Sequence, residues 1–431
     1  MQQVSVSRRG FIGSLGLVAG SMAVPGLAWA SAAAEARFPT VAGLVDGYVS
    51  SGKLPGMIAA LGWGAGEAPL DIARGTLAKG LALPVDMDSL FRIYSMTKPI
   101  TGMAAMMLVD EGKLRLDQPI ADLLPAFGKM QVQVTPDGSM TDLRPAKTQI
   151  TVRHLLTHTA GLGYSIIQKG PIREAYVKAG LVPGQASRMR MPGMDAPAPL
   201  KSLAEFADVL ATMPLVYEPG TVWSYSVALD LMGRVIEVAS GKPFDAFLAE
   251  RIFVPCGMNS TWFRVPESEV GRLTTNYAAM GGVLLPIDPA KASIYLDQPP
   301  YPFGGAGLVS SPRDYDRFLR MLLGFGRIDG KQVMSEAAVR LGTSNLLPAG
   351  TDLSQSFIKG NGFGAGGSVG LGEDAGTFGW AGAAGTVGFV NYRVGLRAGV
   401  YTQYMPSEAY PVHREFAKAV LADVTGKKAA A

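Results

Sequence analysis

Cysteine, histidine and charge are scarce in this chain of 431 residues, and each scarcity excludes something. The single cysteine, Cys256, rules out an internal disulfide and reads as a small core side chain rather than a nucleophile. Three histidines offer little for a metal centre. His154 and His158 have the i, i+4 spacing that can grip zinc, but Leu155 stands where a zinc protease carries its general-base glutamate, and the third, His413, is far off in sequence. Charged residues are only 17% of the chain, with a net charge of +4 and no run of lysine or arginine, which makes nucleic acid a poor partner. After residue 30 no stretch of 18 uninterrupted apolar residues occurs, so no stable membrane insertion of the mature chain is expected. Glycine and proline, 54 and 29 residues, fall short of the roughly 25–30% that marks low complexity, and there is no internal repeat.

What is present suits a globular protein. Apolar residues make up 48%, and the length exceeds one simple core at roughly 100–200 residues per domain. Residues 1–30 read as an address. Arg8 and Arg9 precede a mildly apolar stretch, and Ala28-Trp29-Ala30 gives the small-x-small pattern of signal-peptidase cleavage. The paired arginines before Phe11 resemble a twin-arginine signal peptide, so cleavage after Ala30 and a periplasmic or secreted mature chain are expected. A chain without disulfides fits folding in a reducing cytoplasm before export.

Val41, Leu44, Val45 and Tyr48 predict a helix over 38–50, and residues 56–63 a buried strand. Ile100, Met103, Ala104, Met107 and Leu108 recur at helical spacing. Pro99 fits only a first turn, so that helix begins near Ser95, and Gly112 closes it. Residues 113–170 read as largely helical and irregular, and about 165–200 as a long loop, a lid or an insertion. A helix is expected over 226–239, strands in 305–309, 362–370, 378–390 and 396–403, and a last helix from Phe416 to Val424. Strands at both ends predict an α/β sheet domain assembled from 35–110 and 300–425, holding a mostly helical domain over 111–299.

Three short segments carry chemistry. Ser95-Met96-Thr97-Lys98 is an S-x-x-K pattern: i and i+3 share a helix face, so hydroxyl and amine can meet at a positively polarised helix start. A buried lysine there can take the serine's proton. Tyr225-Ser226-Val227 precedes a helix, and Trp380-Ala381-Gly382-Ala383 lies in a glycine-rich strand whose backbone can offer an N–H to an oxyanion.

In this order, and with His154-Leu155-Leu156-Thr157-His158-Thr159-Ala160-Gly161-Leu162 between them, these segments resemble the serine β-lactamase-related superfamily, in its class C-like branch and closest to family VIII carboxylesterases. The resemblance covers about residues 35–425. It implies a class C β-lactamase or penicillin-binding-like fold, an antiparallel sheet flanked by helices. By position it makes Ser95 the nucleophile, Lys98 and Tyr225 the shared base and acid, the N–H groups of Ser95 and Ala383 the oxyanion hole, and Trp380, Gly382 and Val227 the substrate-binding positions. The departures are informative. Lactam-cleaving relatives have Tyr-x-Asn, and here Val227 cannot hydrogen-bond an acylamino group. They also have a cationic Lys-Thr-Gly, and here Trp380 replaces the lysine, offering apolar surface and one N–H. Both changes point to a neutral ester, unless Lys169, Arg173, Lys178, Arg188 or Arg190 of the long loop supplies a cation.

One rival is weaker. Gly366-Gly367-Ser368-Val369-Gly370 matches the hydrolase pattern G-x-S-x-G, but no helix periodicity follows it. Met103, Met106 and Met107 read as core filler, and Trp223 with Trp380 equally as lining of an acyl pocket or as ordinary core packing. The expectation is an exported serine carboxylesterase, probing small-molecule esters as a monomer without metal or other cofactor. An amide or lactam hydrolase, or a slowly turning over acylated sensor, are the alternatives.

Overall fold

The computed structural model describes residues 32–189 and 200–426. The expected leader, residues 1–30, lies outside the described residues, as do residues 190–199 of the expected loop, Arg190 among them. The spine is a seven-stranded antiparallel sheet in the order Gly362–Phe363, Ser368–Val369, Thr377–Gly382, Thr386–Asn391, Leu396–Tyr401, Gly56–Trp63, Leu70–Gly75. The Gly56–Trp63 strand therefore has a late neighbour on one side and an early one on the other: Ile58 pairs with Tyr401 and with Ala73. Its side chains alternate between two cores. Ile58 and Ala60 join the core that holds helices Thr97–Asp110 and Pro312–Leu323. Met57, Ala59 and Leu61 join the one under Pro39–Ser50 and Val412–Thr425. A strand buried on both faces has no polar alternation, which is why it reads as one apolar run.

Helix Thr97–Asp110 is buried from Thr97 to Leu108, a central helix rather than a surface one. Pro99 is its third residue, where no intrahelical N–H partner is needed. Helix Ala228–Ser240 ends at Gly241, as expected. Cys256 is fully buried, and burial pushes its thiol up to about 12. Met103, Met106 and Met107 fill the first core. Among the described residues no helix is long and apolar enough to cross a membrane.

Several expectations are corrected. Of 305–309 only Val309 is in a strand, Val309–Ser310, because the backbone of Gly305 is turned toward two side chains instead of a ladder. The 378–390 and 362–370 runs each split into two strands. Residues 170–178 form a helix, Gly170–Lys178, anchored by the buried pair Ile172 and Tyr176. The 111–299 segment is not mostly helical. It includes the hairpins Gln131–Gln133 with Leu143–Pro145 and Asn276–Met280 with Val283–Asp288. The second hairpin pairs in parallel with Tyr404–Met405, stitching this segment to the end of the sheet domain. A buried arginine completes the stitch. Arg92, three residues before Ser95, donates to Asp288 Oδ2 at 2.6 Å, Thr274 O at 2.7 Å and Ser293 Oγ at 3.0 Å. Such a charge is tolerable inside a protein only with its partners satisfied in this way.

Candidate active site

Ser95 sits on a single 3₁₀ turn, Tyr94–Met96, that runs straight into helix Thr97–Asp110. The residue before it, Tyr94, has φ of 40°, a left-handed conformation unusual for a bulky side chain. The packing enforces it: Tyr94 is buried, its hydroxyl accepts from Asn276 Nδ2 at 3.2 Å, and its ring meets Tyr295 edge-on.

Lys98 lies one helical turn on and is fully buried. Its Nζ donates to Ser95 Oγ at 3.1 Å and to the Gly305 carbonyl at 2.7 Å. It also stands 4.5 Å from the centre of the Tyr225 ring. The Tyr225 hydroxyl donates to Ser95 Oγ at 2.8 Å, and Trp380 Nε1 donates to the Tyr225 oxygen at 3.1 Å. Four sequence-predicted residues from three distant segments thus form one hydrogen-bonded cluster. The indole N–H of Trp380 is directed at the tyrosine, so it positions Tyr225 while its ring presents an apolar surface.

Gly382 has a structural reason to be glycine. A Cβ there would come within 2.3 Å of the Ile93 carbonyl and of Thr386 Oγ1, so the strand lies directly against the approach to Ser95. Ala383 follows at the turn, packed with Tyr94, Ala306, Ala384 and Met405. Among the described residues no acceptor outside its own 3₁₀ turn takes the N–H of Ser95, and none takes that of Ala383, as an oxyanion pocket requires. Val227 is the correction: it is fully buried at the first turn of helix Ala228–Ser240 and presents no surface to a substrate. Trp223 is likewise buried, stacked on Tyr225 at 6.0 Å between centroids, so it supports the site from behind.

Asp230 was not anticipated. It is buried, its Oδ1 accepts from Gly305 N–H at 2.8 Å, and the same residue's carbonyl receives Lys98. Thr101 Oγ1 holds the preceding carbonyl, Gly304 O, at 2.7 Å. Burial raises the Asp230 carboxyl to about 6, although the nearby Lys98 pulls it down. An acid among Leu229, Leu231 and Met232 on the apolar face of a helix was the available signal.

The two spaced histidines serve separate local purposes. His154 Nδ1 accepts from Thr151 N–H at 3.2 Å while Thr151 Oγ1 accepts from His154 N–H at 3.3 Å, a reciprocal helix cap. His158 Nδ1 accepts from Ser226 N–H at 3.2 Å and its ring lies 4.7 Å from that of Tyr225, fixing the tyrosine loop. Burial, and next the charge of Lys98, hold the His158 imidazole well below its usual range. Ser368 lies on a two-residue strand in a hairpin, followed by a single 3₁₀ turn, Gly372–Asp374, and then the next strand rather than by an α-helix. The G-x-S-x-G glycines serve packing: Gly366 has φ of 75°, and a Cβ there would meet the Lys98 carbonyl at 2.3 Å. Arg188 pairs with Asp297 at 2.7 Å and Arg173 donates to Ser165 O. A groove of about 760 Å³ between the Trp380 strand and helix Val412–Thr425 contains none of Ser95, Lys98 and Tyr225.

An uncharacterized protein of Mycobacterium tuberculosis is 37% identical over 322 residues, 70% of this chain and 75% of the relative. Esterase EstB of Burkholderia gladioli is 31% identical over 272 residues, 60% of this chain and 63% of that protein. Acyltransferase calJ of Penicillium decumbens is 31% identical over 241 residues, 54% of this chain and 52% of its own length. In fold, the chain is similar to EstCE1, a hydrolase with promiscuous acyltransferase activity, with a TM-score of 0.70, 24% identity and coverage of 92% of this chain and 100% of that one. Unliganded simvastatin synthase LovD from Aspergillus terreus gives 0.69 at 23% identity, over 91% of this chain and 98% of that one. The β-lactamase family model matches residues 41–422, and the chain belongs to the β-lactamase family.

Proposed function

We propose that this protein is an exported serine esterase that cleaves neutral carboxylic esters through an acyl-Ser95 intermediate. The observation that carries the reading is the hydrogen-bonded set Ser95, Lys98 and Tyr225, with an indole rather than an ammonium on the strand beside it. Lys98 and Tyr225 together take the Ser95 proton, and Oγ attacks the ester carbonyl. The carbonyl oxygen takes up negative charge against the N–H groups of Ser95 and Ala383. The carbon–oxygen bond to the alcohol breaks, with Tyr225 passing the proton to the leaving oxygen. Water activated by the same pair then releases the acid. Asp230 acts through Gly305 as a positioning residue: it holds the carbonyl that receives Lys98 and sets a negative charge near the ammonium formed during proton transfer.

The likeness to EstB supports ester cleavage. The likeness to calJ favours a second reading, in which the same acyl-Ser95 passes its acyl group to an alcohol instead of water. The twin-arginine pattern and Ala28-Trp29-Ala30 support export with cleavage after Ala30.

The test is steady-state turnover of p-nitrophenyl acetate, butyrate and octanoate beside a chromogenic cephalosporin, with Ser95→Ala as the blank. Multiple turnovers on the short esters, little lactam cleavage and a blank below about a thousandth of wild type are expected. Efficient lactam cleavage would overturn the neutral-ester reading, and a single burst without turnover would identify an acylated sensor.

A further inference from the structure

The rings around Tyr225 form a wall with one open face. Trp223 and Phe363 are buried and Tyr225 is 8% exposed, but Phe357 is 66% exposed. Phe357 is nonetheless part of the wall: its centroid lies 5.0 Å from Trp223, 5.7 Å from Tyr225 and 6.0 Å from Trp380. An apolar ring left two-thirds in water beside the nucleophile's own partner is surface that a ligand can cover.

The chemistry of the site says which part of an ester lies there. The carbonyl oxygen belongs at the N–H groups of Ser95 and Ala383. The leaving oxygen must come within hydrogen-bond reach of the Tyr225 hydroxyl that protonates it. The group attached to that oxygen therefore extends past Trp380, which holds this hydroxyl, along the open side of the Tyr225 ring that Phe357 borders. The acyl group, on the other side of the carbonyl carbon, does not.

The geometry points to Phe357 as the residue that selects the alcohol half of the substrate, and to esters of aromatic alcohols, such as phenols and naphthols, as the preferred class. This rests on the assignment of Ser95 as nucleophile and Tyr225 as acid. In the step concerned, the Ser95 Oγ–C bond forms and the C–O(aryl) bond breaks. The proton from Ser95 ends on the aryl oxygen, and the free phenol leaves across the Phe357 ring. Flat aromatic groups gain offset or edge-on contacts with these rings that small aliphatic alcohols cannot.

Two esters that share the acetyl group isolate the effect, since both give the same acetyl-Ser95. 1-Naphthyl acetate and ethyl acetate are compared in wild type, Phe357→Ala and Phe357→Trp, with Ser95→Ala as the blank and a thermal melt as the check on folding. Taking each variant relative to wild type cancels the different leaving abilities of the two alcohols. Phe357→Ala should lower kcat/KM for 1-naphthyl acetate at least tenfold more than for ethyl acetate, equivalent to about 1.4 kcal/mol. Phe357→Trp should restore most of it. An equal fall for both esters, or no fall, overturns the inference and leaves the esterase reading standing. Full activity in Ser95→Ala, or no turnover of either ester by wild type, overturns both.

Discussion

Replacing Asp230 by asparagine should stabilise the fold and slow the chemistry together. Burial raises the Asp230 carboxyl from 3.8 to about 6, even though Lys98 and the Gly305 N–H pull the other way. An acid raised in the folded state favours folding in its protonated form. That contribution is complete below 3.8 and is lost as pH rises through about 6. A shift of about two units, at about 1.36 kcal/mol per unit, makes the ionised carboxylate cost about 3 kcal/mol of folding free energy at pH 7.5 and about half that at pH 5. Asparagine mimics the protonated carboxyl at every pH and keeps an acceptor for the Gly305 N–H. Its amide group takes the place of Asp230 Oδ2, which has no hydrogen-bond partner among the described residues, so a buried donor left unpaired removes about 1 kcal/mol of the gain. The variant should therefore be about 2 kcal/mol more stable at pH 7.5, with the difference shrinking steadily toward pH 5. Urea unfolding followed by tryptophan fluorescence across that range reads it. In parallel, kcat on p-nitrophenyl acetate should fall at least tenfold, because the ammonium formed on Lys98 loses its nearby negative charge. A variant less stable than wild type at pH 7.5, or a difference that does not shrink with falling pH, would refute the reasoning.

Val227→Asn, which restores the Tyr-x-Asn pattern, should cost about 1–3 kcal/mol of stability in a thermal melt without raising cephalosporin turnover, since the side chain is fully buried. A rise in lactam cleavage at unchanged melting temperature would place the side chain in the substrate site after all. Burial lowers His154 to about 4, so this residue stabilises the fold above 6.5, and the contribution, up to about 3 kcal/mol, is lost as pH falls toward 4. In His154→Gln the unfolding free energy should change less between pH 6.5 and 4 than in wild type; identical pH profiles would disprove the assignment.

The parts of the site set by local spacing were legible in the sequence. Ser95 and Lys98 are one helical turn apart, so their meeting needs only a helix, and Pro99 placed its start. Tyr225 and Trp380 lie 130 and 285 positions from Ser95, and only the ordered resemblance joined them to it. What was missed depends on long-range packing. Gly305 was read as strand because a glycine-punctuated apolar run looks the same whether its backbone pairs with a ladder or with Lys98 and Asp230. Val227 was read as substrate-facing because motif alignment gives position along the chain but not the direction of a side chain. The Asn276–Asp288 hairpin escaped because its alternation is short and its partner strand lies more than a hundred residues later. Phe357 carries no motif, and its exposure beside Tyr225 exists only in the folded protein.

The order of the strands also fixes when the site can come into being. Ser95 emerges early from the ribosome, but Trp380 and the Leu396–Tyr401 neighbour of the first strand emerge about 285 residues or more later, roughly 15–60 s at 5–20 residues per second. Until then Tyr225 lacks the indole donor, the turn at Ala383 does not exist, and the Gly56–Trp63 strand has an open edge. A nascent or prematurely terminated chain thus holds Ser95 and Lys98 without the complete cluster that Tyr225 and Trp380 finish. The sheet is thus built so that its earliest-made strand must wait for the far end of its own chain.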